Sequence, residues 1–223
     1  MAFLHEDDRK TLHKEFERMD RPVRLLVFTD PDNCQYCKQT RQLVEELAEL
    51  DGRIELEIVD RIAEPELAAR YAIDKAPAIA ILTNGVEPRD TGIRFYGIPS
   101  GYEFTTLVDD IVTVSRDEPG LAGPTLDWLG KLTQPVHLQV FVTPTCPYCP
   151  RAVQLAHRLA LASPLVQADM VEATEFPELS ERYQVYGVPR TVINDAVAIE
   201  GAVPEGHLLQ QMKQAVAQTA TSA

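Results

Sequence analysis

Apolar residues along the chain switch repeatedly between a helical and an extended period. Leu12, Phe16 and Met19 recur at i, i+4 and i+7, which predicts an amphipathic helix. Val23 to Thr29 is an apolar run suited to a buried strand. Leu43, Leu47 and Leu50 return to helical spacing, and Asp51-Gly52 ends that helix. Ile54, Leu56 and Ile58 alternate with acids, as in a strand with one wet face. Pro65 to Tyr71 reads as a short helix, and Ala78 to Thr83 as a strand. Asn84-Gly85 is a hairpin signal leading to a returning strand at Ile93 to Tyr96. A helix over Phe104 to Val114 closes the first half.

The same rhythm then starts again. Helices are predicted near Leu126 to Lys131, Cys149 to Leu161, Pro177 to Tyr183 and Gly206 to Gln218. Strands are predicted at Val136 to Val142, Leu165 to Val171, Thr191 to Ile193 and Val197 to Glu200, with a turn at Asn194-Asp195. A shift of 112 residues superimposes the halves residue by residue. Val59, Pro65, Glu66, Leu67, Arg70 and Tyr71 fall on Val171, Pro177, Glu178, Leu179, Arg182 and Tyr183. A period this long is a domain duplication rather than a solenoid. The Pro- and Gly-bearing stretch Arg116 to Thr125 marks the boundary, giving domains 1–117 and 118–223. Each domain runs βαβ then ββα. Strands joined through a helix pair parallel and strands joined by a tight turn pair antiparallel. The fold class is therefore α/β, with a mixed central sheet flanked by helices in each domain.

The repeat also carries the chemistry. The four cysteines form two CxxC pairs, Cys34-Gln35-Tyr36-Cys37 and Cys146-Pro147-Tyr148-Cys149. A proline follows each first cysteine by 43 residues, Pro77 and Pro189. At a strand-to-helix junction a CxxC pair places both sulfurs on the first helical turn, within bonding reach. The free N–H groups and dipole of the helix start stabilise a thiolate there. The first cysteine is the more exposed, so Cys34 and Cys146 are expected to attack. Cys37 and Cys149, deeper in, are expected to resolve the mixed disulfide. If the bonds before Pro77 and Pro189 are cis, they turn the backbone of Ala76 and Val188 toward the cysteines. Tyr36 and Tyr148 recur inside the loops and are expected to shape the client-binding surface. Asp30 and Asp32 precede Cys34, whereas no acid lies within five residues of Cys146 and Arg151 follows it. Carboxylates oppose thiolate formation and cations favour it, so Cys146 is expected to be the faster thiol and the C-terminal pair the dominant one.

The net charge of −13 argues against nucleic acid and anionic membrane as partners. The acidic start, Met1 to Asp8, has no apolar run behind it and no secretory signal. A cytoplasmic setting is expected, where paired cysteines read as redox or metal chemistry rather than staples. Four thiolates suffice for one zinc, and one pair for part of an iron–sulfur site. Each pair lies in its own repeat, so no metal or other cofactor is assigned.

Cys-Gln-Tyr-Cys, Cys-Pro-Tyr-Cys-Pro, the two later prolines and the string Phe95 to Phe104 resemble the glutaredoxin-like protein disulfide oxidoreductases. A more distant likeness is the N-terminal module of the flavoprotein alkyl hydroperoxide reductase. The resemblance covers nearly the whole chain. It implies two tandem thioredoxin-like domains, redox pairs at Cys34/Cys37 and Cys146/Cys149, and cis-prolines at Pro77 and Pro189. It also implies disulfide-containing client proteins and reduction by a thioredoxin-reductase-like flavoprotein. The expected activity is reduction or exchange of protein disulfides. The alternatives are an electron relay dedicated to a peroxiredoxin-type peroxidase, and a metal- or iron–sulfur-binding module. Glu200 to Pro204 lacks the paired glycines and Asp with which glutaredoxins hold glutathione, so weak glutathione use is expected.

Overall fold

The computed structural model describes residues 3–84 and 88–222, with side chains to residue 218. The first half comprises α1 (Glu6–Phe16), β1 (Val23–Thr29), α2 (Cys37–Ala48), β2 (Ile54–Asp60), α3 (Pro65–Arg70), β3 (Ala78–Thr83), β4 (Asp90–Tyr96) and α4 (Tyr102–Arg116). The second comprises α5 (Gly123–Leu129), β5 (Val136–Val142), α6 (Cys149–Ala162), β6 (Val166–Glu172), α7 (Pro177–Arg182), β7 (Arg190–Ile193), β8 (Val197–Glu200) and α8 (Glu205–Ser222). The elements follow the order expected from the apolar periods. Of the Asn84-Gly85 turn, Gly85 lies outside the described residues. Asn194 and Asp195 both take positive φ, as a two-residue hairpin turn of this hand requires.

Met19 and Leu50 are buried but fall beyond the ends of α1 and α2. At α1 the cause is Arg53, whose guanidinium donates to the carbonyl oxygens of Phe16 at 2.7 Å and Met19 at 2.5 Å. Those carbonyls are satisfied by a side chain instead of a further helical turn. Asp51 holds Arg53 in place through its Nε and Nη2, at 2.9 and 2.6 Å.

Each half makes the mixed, helix-flanked sheet expected of it, and the two sheets are joined edge to edge. All eight strands join one sheet in the order β2-β1-β3-β4-β6-β5-β7-β8. Within each half the pairing follows the connections: β1 with β2 and β5 with β6 are parallel, while β1 with β3, β3 with β4, β5 with β7 and β7 with β8 are antiparallel. The halves fuse because β4 pairs in parallel with β6, from Ile93 opposite Ala168 to Tyr96 opposite Val171. Each half thereby covers an otherwise open edge of the other. Close approach here depends on glycine. A Cβ on Gly92 (φ +73°) would run into the Val166 carbonyl, and one on Gly97 (φ +91°) would lie 2.7 Å from Glu172 Cβ.

Strand alternation sends side chains to two separate cores. Val23, Leu25 and Val27 face a cluster completed by residues of α1, α2, α4, α6 and α8. Leu26 and Phe28 face the opposite side, with α3, α7 and the ring of Tyr71. Covering both faces leaves the ends of the strands as the place where loops and chemistry collect.

Candidate active sites

The loops after β1 and β5 deliver the cysteines, and both pairs are bridged, with Cα atoms 5.5 Å apart in each. Only the second cysteine of each pair is helical, because α2 and α6 begin at Cys37 and Cys149. The ladder starts with the Thr40 N–H donating to Tyr36 O at 2.8 Å, so Cys34 lies in the preceding bend. In the second loop the Cys149 N–H closes a turn onto Cys146 O at 3.4 Å. Pro147 therefore sits ahead of α6, whereas Pro150 occupies its first turn, where a missing N–H costs little.

Burial follows the expected order within each pair. Cys34 is half-buried and Cys37 buried; Cys146 is 7% exposed and Cys149 0%. The Ala76–Pro77 and Val188–Pro189 bonds are both cis. Val188 is brought against the second pair, its carbonyl oxygen 3.7 Å from Cys146 Sγ. Pro189 follows it into β7, as Pro77 leads into β3. Among the described residues no hydrogen bond links the Cys34 sulfur to Ala76. Instead Cys37 Sγ accepts from the Asp30 N–H at 3.4 Å. Tyr36 is half-buried, with its hydroxyl 3.3 Å from Gln35 Nε2, while Tyr148 is 65% exposed.

The charges around the two pairs differ in ways the linear sequence hides. Asp30 is buried, and its Oδ1 accepts from the N–H groups of Asp32 and Asn33 at 3.1 and 3.0 Å. Its Oδ2 meets Arg61 Nη2 at 3.2 Å. Burial by itself would raise this carboxyl, but the two N–H groups and Arg61 outweigh it and hold it below the usual range. Asp30 is thus a charged residue with its charge already answered. The second half places Val142 and Ala173 at the matching positions and has no such pair.

The loop before Cys146 is gripped by the backbone of the other half. The Tyr102 N–H donates to Pro144 O at 3.1 Å, and Gly101 (φ +60°) packs so closely that a Cβ would strike that carbonyl. The next residue, Glu103, is buried with neither carboxyl oxygen hydrogen-bonded. Burial pushes its carboxyl up to about 7. Along the same α4–α6 seam His157 Nδ1 meets Asp110 Oδ2 at 2.5 Å, and burial raises the Asp110 carboxyl. A second clasp joins the halves where Glu175 Oε1 accepts from the Ile98 N–H at 2.7 Å; burial lifts Glu175 to about 7. Residue spacing could not reveal Glu103 or Glu175, since each acts across the duplication. The glycines at 92, 97 and 101, which the 112-residue shift leaves unmatched, were the available signal.

Among the described residues no group of three His, Cys, Asp or Glu is placed to hold a metal, and no helix is long and apolar enough to cross a membrane. The cysteine pairs follow β1 and β5, with β3, β4 and β6 between them, so one tetrahedral ion cannot draw on both.

Comparison with known proteins places this arrangement. Residues 136–214 match the model of a thioredoxin domain. A protein disulfide oxidoreductase from Aeropyrum pernix k1 is 30% identical, with 96% of this chain and 94% of that one covered and a TM-score of 0.87. The N-terminal domain of alkylhydroperoxide reductase AhpF from Enterococcus faecalis is 29% identical, covering 94% of this chain and 100% of that one, with a TM-score of 0.86. An alkyl hydroperoxide reductase of Staphylococcus aureus is 26% identical over 86% of this chain. The chain spans 34% to 38% of the length of the curated relatives it matches, which include a Bacillus subtilis NADH dehydrogenase. On its duplicated thioredoxin fold, its two bridged CxxC pairs and this near full-length likeness, the chain belongs to the glutaredoxin-like protein disulfide oxidoreductase family.

Proposed function

We propose that this chain is a cytoplasmic enzyme that reduces or exchanges disulfides of client proteins. The observation that carries the reading is the form of each pair: a less buried sulfur ahead of a helix start and a more deeply buried partner on its first residue. In the reduced enzyme the Cys146 thiolate attacks a client sulfur, and the client's other sulfur leaves as a thiolate that takes up a proton. The buried Cys149 then deprotonates and attacks Cys146, releasing the client's second thiol. The client gains two electrons and two protons, and the pair becomes a disulfide. Backbone groups of Ala76 and Val188, beside Pro77 and Pro189, would align the client chain. Tyr36 and Tyr148 would line its path.

We assign the larger share of activity to Cys146 and Cys149. Arg151 and an acid-free loop support this assignment, against the exposed Asp32 beside Cys34. The Asp30–Arg61 pair narrows the difference, because Asp30 brings little unanswered charge to the first site. Electrons would come from a separate thioredoxin-reductase-like flavoprotein. The likeness to a segment of the Staphylococcus aureus alkyl hydroperoxide reductase favours one second reading, a relay serving a peroxiredoxin.

Insulin reduction with dithiothreitol as electron source tests the proposal. Wild type should be active, the Cys146→Ser/Cys149→Ser variant should lose most activity, and the Cys34→Ser/Cys37→Ser variant should retain most. Inactivity of the wild type toward insulin, with activity restored only by a peroxiredoxin, would establish the relay instead.

A further inference from the structure

The loop before Pro189 carries Tyr186, 89% exposed, and among the described residues its hydroxyl has no hydrogen-bond partner. Two residues on, Val188 lies against Cys146 Sγ. Tyr148, 65% exposed, stands inside the CxxC loop itself. Single exposed apolar residues are ordinary on protein surfaces. Here two tyrosines stand on the two loops that meet at one reactive sulfur.

The duplication provides an internal comparison. Tyr148 matches Tyr36, but Tyr186 matches Asp74 and Gly187 matches Lys75. The position is open in both halves, since the Asp74 side chain is 73% exposed. Lys75 answers that acid, its Nζ lying 2.5 Å from Asp74 Oδ1 and 3.7 Å above the Tyr96 ring. The same rim position is therefore an acid beside the first pair and an aromatic beside the second. Moreover, the segments 143–150 and 184–189 contain no charged residue, in a chain of net charge −13.

Resting on the disulfide-exchange reading above, the geometry points to Tyr186 as a specificity-determining residue of the C-terminal site. Its occupant is an extended client segment bearing an aliphatic or aromatic side chain within two residues of the attacked cysteine. Two residues of extended client chain span about 7 Å, so a side chain that far from the attacked cysteine lies on the rim of the site. An apolar side chain stacked on the tyrosine ring loses contact with water, and no nearby charge must be desolvated with it.

The test uses full-length protein carrying Cys34→Ser and Cys37→Ser, reduced beforehand, in single-turnover reactions. The probes are peptides whose one cysteine is joined to a chromogenic thiol and flanked by Leu, Gly or Asp. Attack by Cys146 releases the coloured thiolate, and Cys149 then frees the peptide. The expected preference for the Leu over the Gly peptide is about tenfold, the size of effect a buried tyrosine contact gives. Tyr186→Ala should bring that ratio close to one, Tyr186→Phe should keep it, and Tyr186→Asp should reverse any preference for apolar flanks. Because a ratio is read, a variant that is only partly folded still reports. A ratio near one in the parent, or an unchanged ratio in Tyr186→Ala, overturns the proposal. Failure of the parent to release colour from any peptide overturns the exchange reading itself, and this inference with it.

Discussion

Substituting Glu103 with Gln probes the buried carboxyl at the seam between the halves. In an unfolded chain this group loses its proton near pH 4.5, whereas in the folded protein burial delays that loss to about 7. Between those values the folded state holds more protons than the unfolded one, so stability falls as pH rises through the window. Each pH unit separating the folded from the unfolded value corresponds to about 1.4 kcal/mol, so the full penalty carried by the ionised wild type is about 3 kcal/mol. Gln has nearly the same shape and nothing to ionise. Its unfolding free energy, relative to wild type, should therefore increase by about 2–3 kcal/mol between about pH 5 and about pH 8. Glu175, also raised to about 7, is present in both proteins and cancels from the difference. Urea unfolding of the oxidised proteins, followed by fluorescence of Trp128, measures this, with equal m-values confirming a like-for-like comparison. A difference that stays flat across the range would refute the reasoning, since it would mean the carboxyl ionises normally in the fold.

Three further outcomes follow from the geometry. In fully reduced protein, Cys146 should be alkylated faster than Cys34 near neutral pH, as read by mass spectrometry of the modified peptides; a faster Cys34 would reverse the assigned asymmetry. Gly101→Ala should cost about 1–3 kcal/mol more than Gly120→Ala in thermal or urea unfolding. Both glycines have positive φ, but only the first would drive a Cβ into a carbonyl, Pro144 O; equal losses would deny the close contact. Arg61→Gln strips the ion partner from buried Asp30 and should cost about 1–3 kcal/mol at neutral pH. Because the Asp30 carboxyl is held low, that stabilisation is present above its unfolded value and is lost as pH falls through the folded one. The variant's deficit should accordingly shrink in acid, and a deficit constant down to about pH 2 would argue against the ion pair.

The strands were legible wherever burial alone shaped the sequence. Val23–Thr29, Ala78–Thr83, Val136–Val142 and Val197–Glu200 have the bounds their apolar runs imply. The cysteine pairs and the prolines were legible because redox chemistry needs those residue types at those spacings. Helix ends were harder, since Arg53 caps α1 from a loop well along the chain. The fusion of the sheets was hidden because duplicated halves reveal their likeness, not how they dock. Residues that dock them, such as Gly92, Glu103 and Glu175, are not matched by the 112-residue shift. Asp30 looked like a liability to Cys34 in the linear sequence, and only the fold shows Arg61 beside it.

The fused sheet also governs traffic between the two disulfides. From β1 to β5 the order passes through β3, β4 and β6, so four strand spacings separate them. At about 4.8 Å each, that is ~19 Å. Following the pairings across, β1 and β5 point the same way, so both reactive loops open on one edge of the sheet. Sulfurs exchange only at bonding distance, and a shared hydrogen-bond ladder has no hinge to bring them there. The two pairs are therefore separate accounts: neither can refill the other directly, and each must meet its own electron donor or a mobile thiol that visits both.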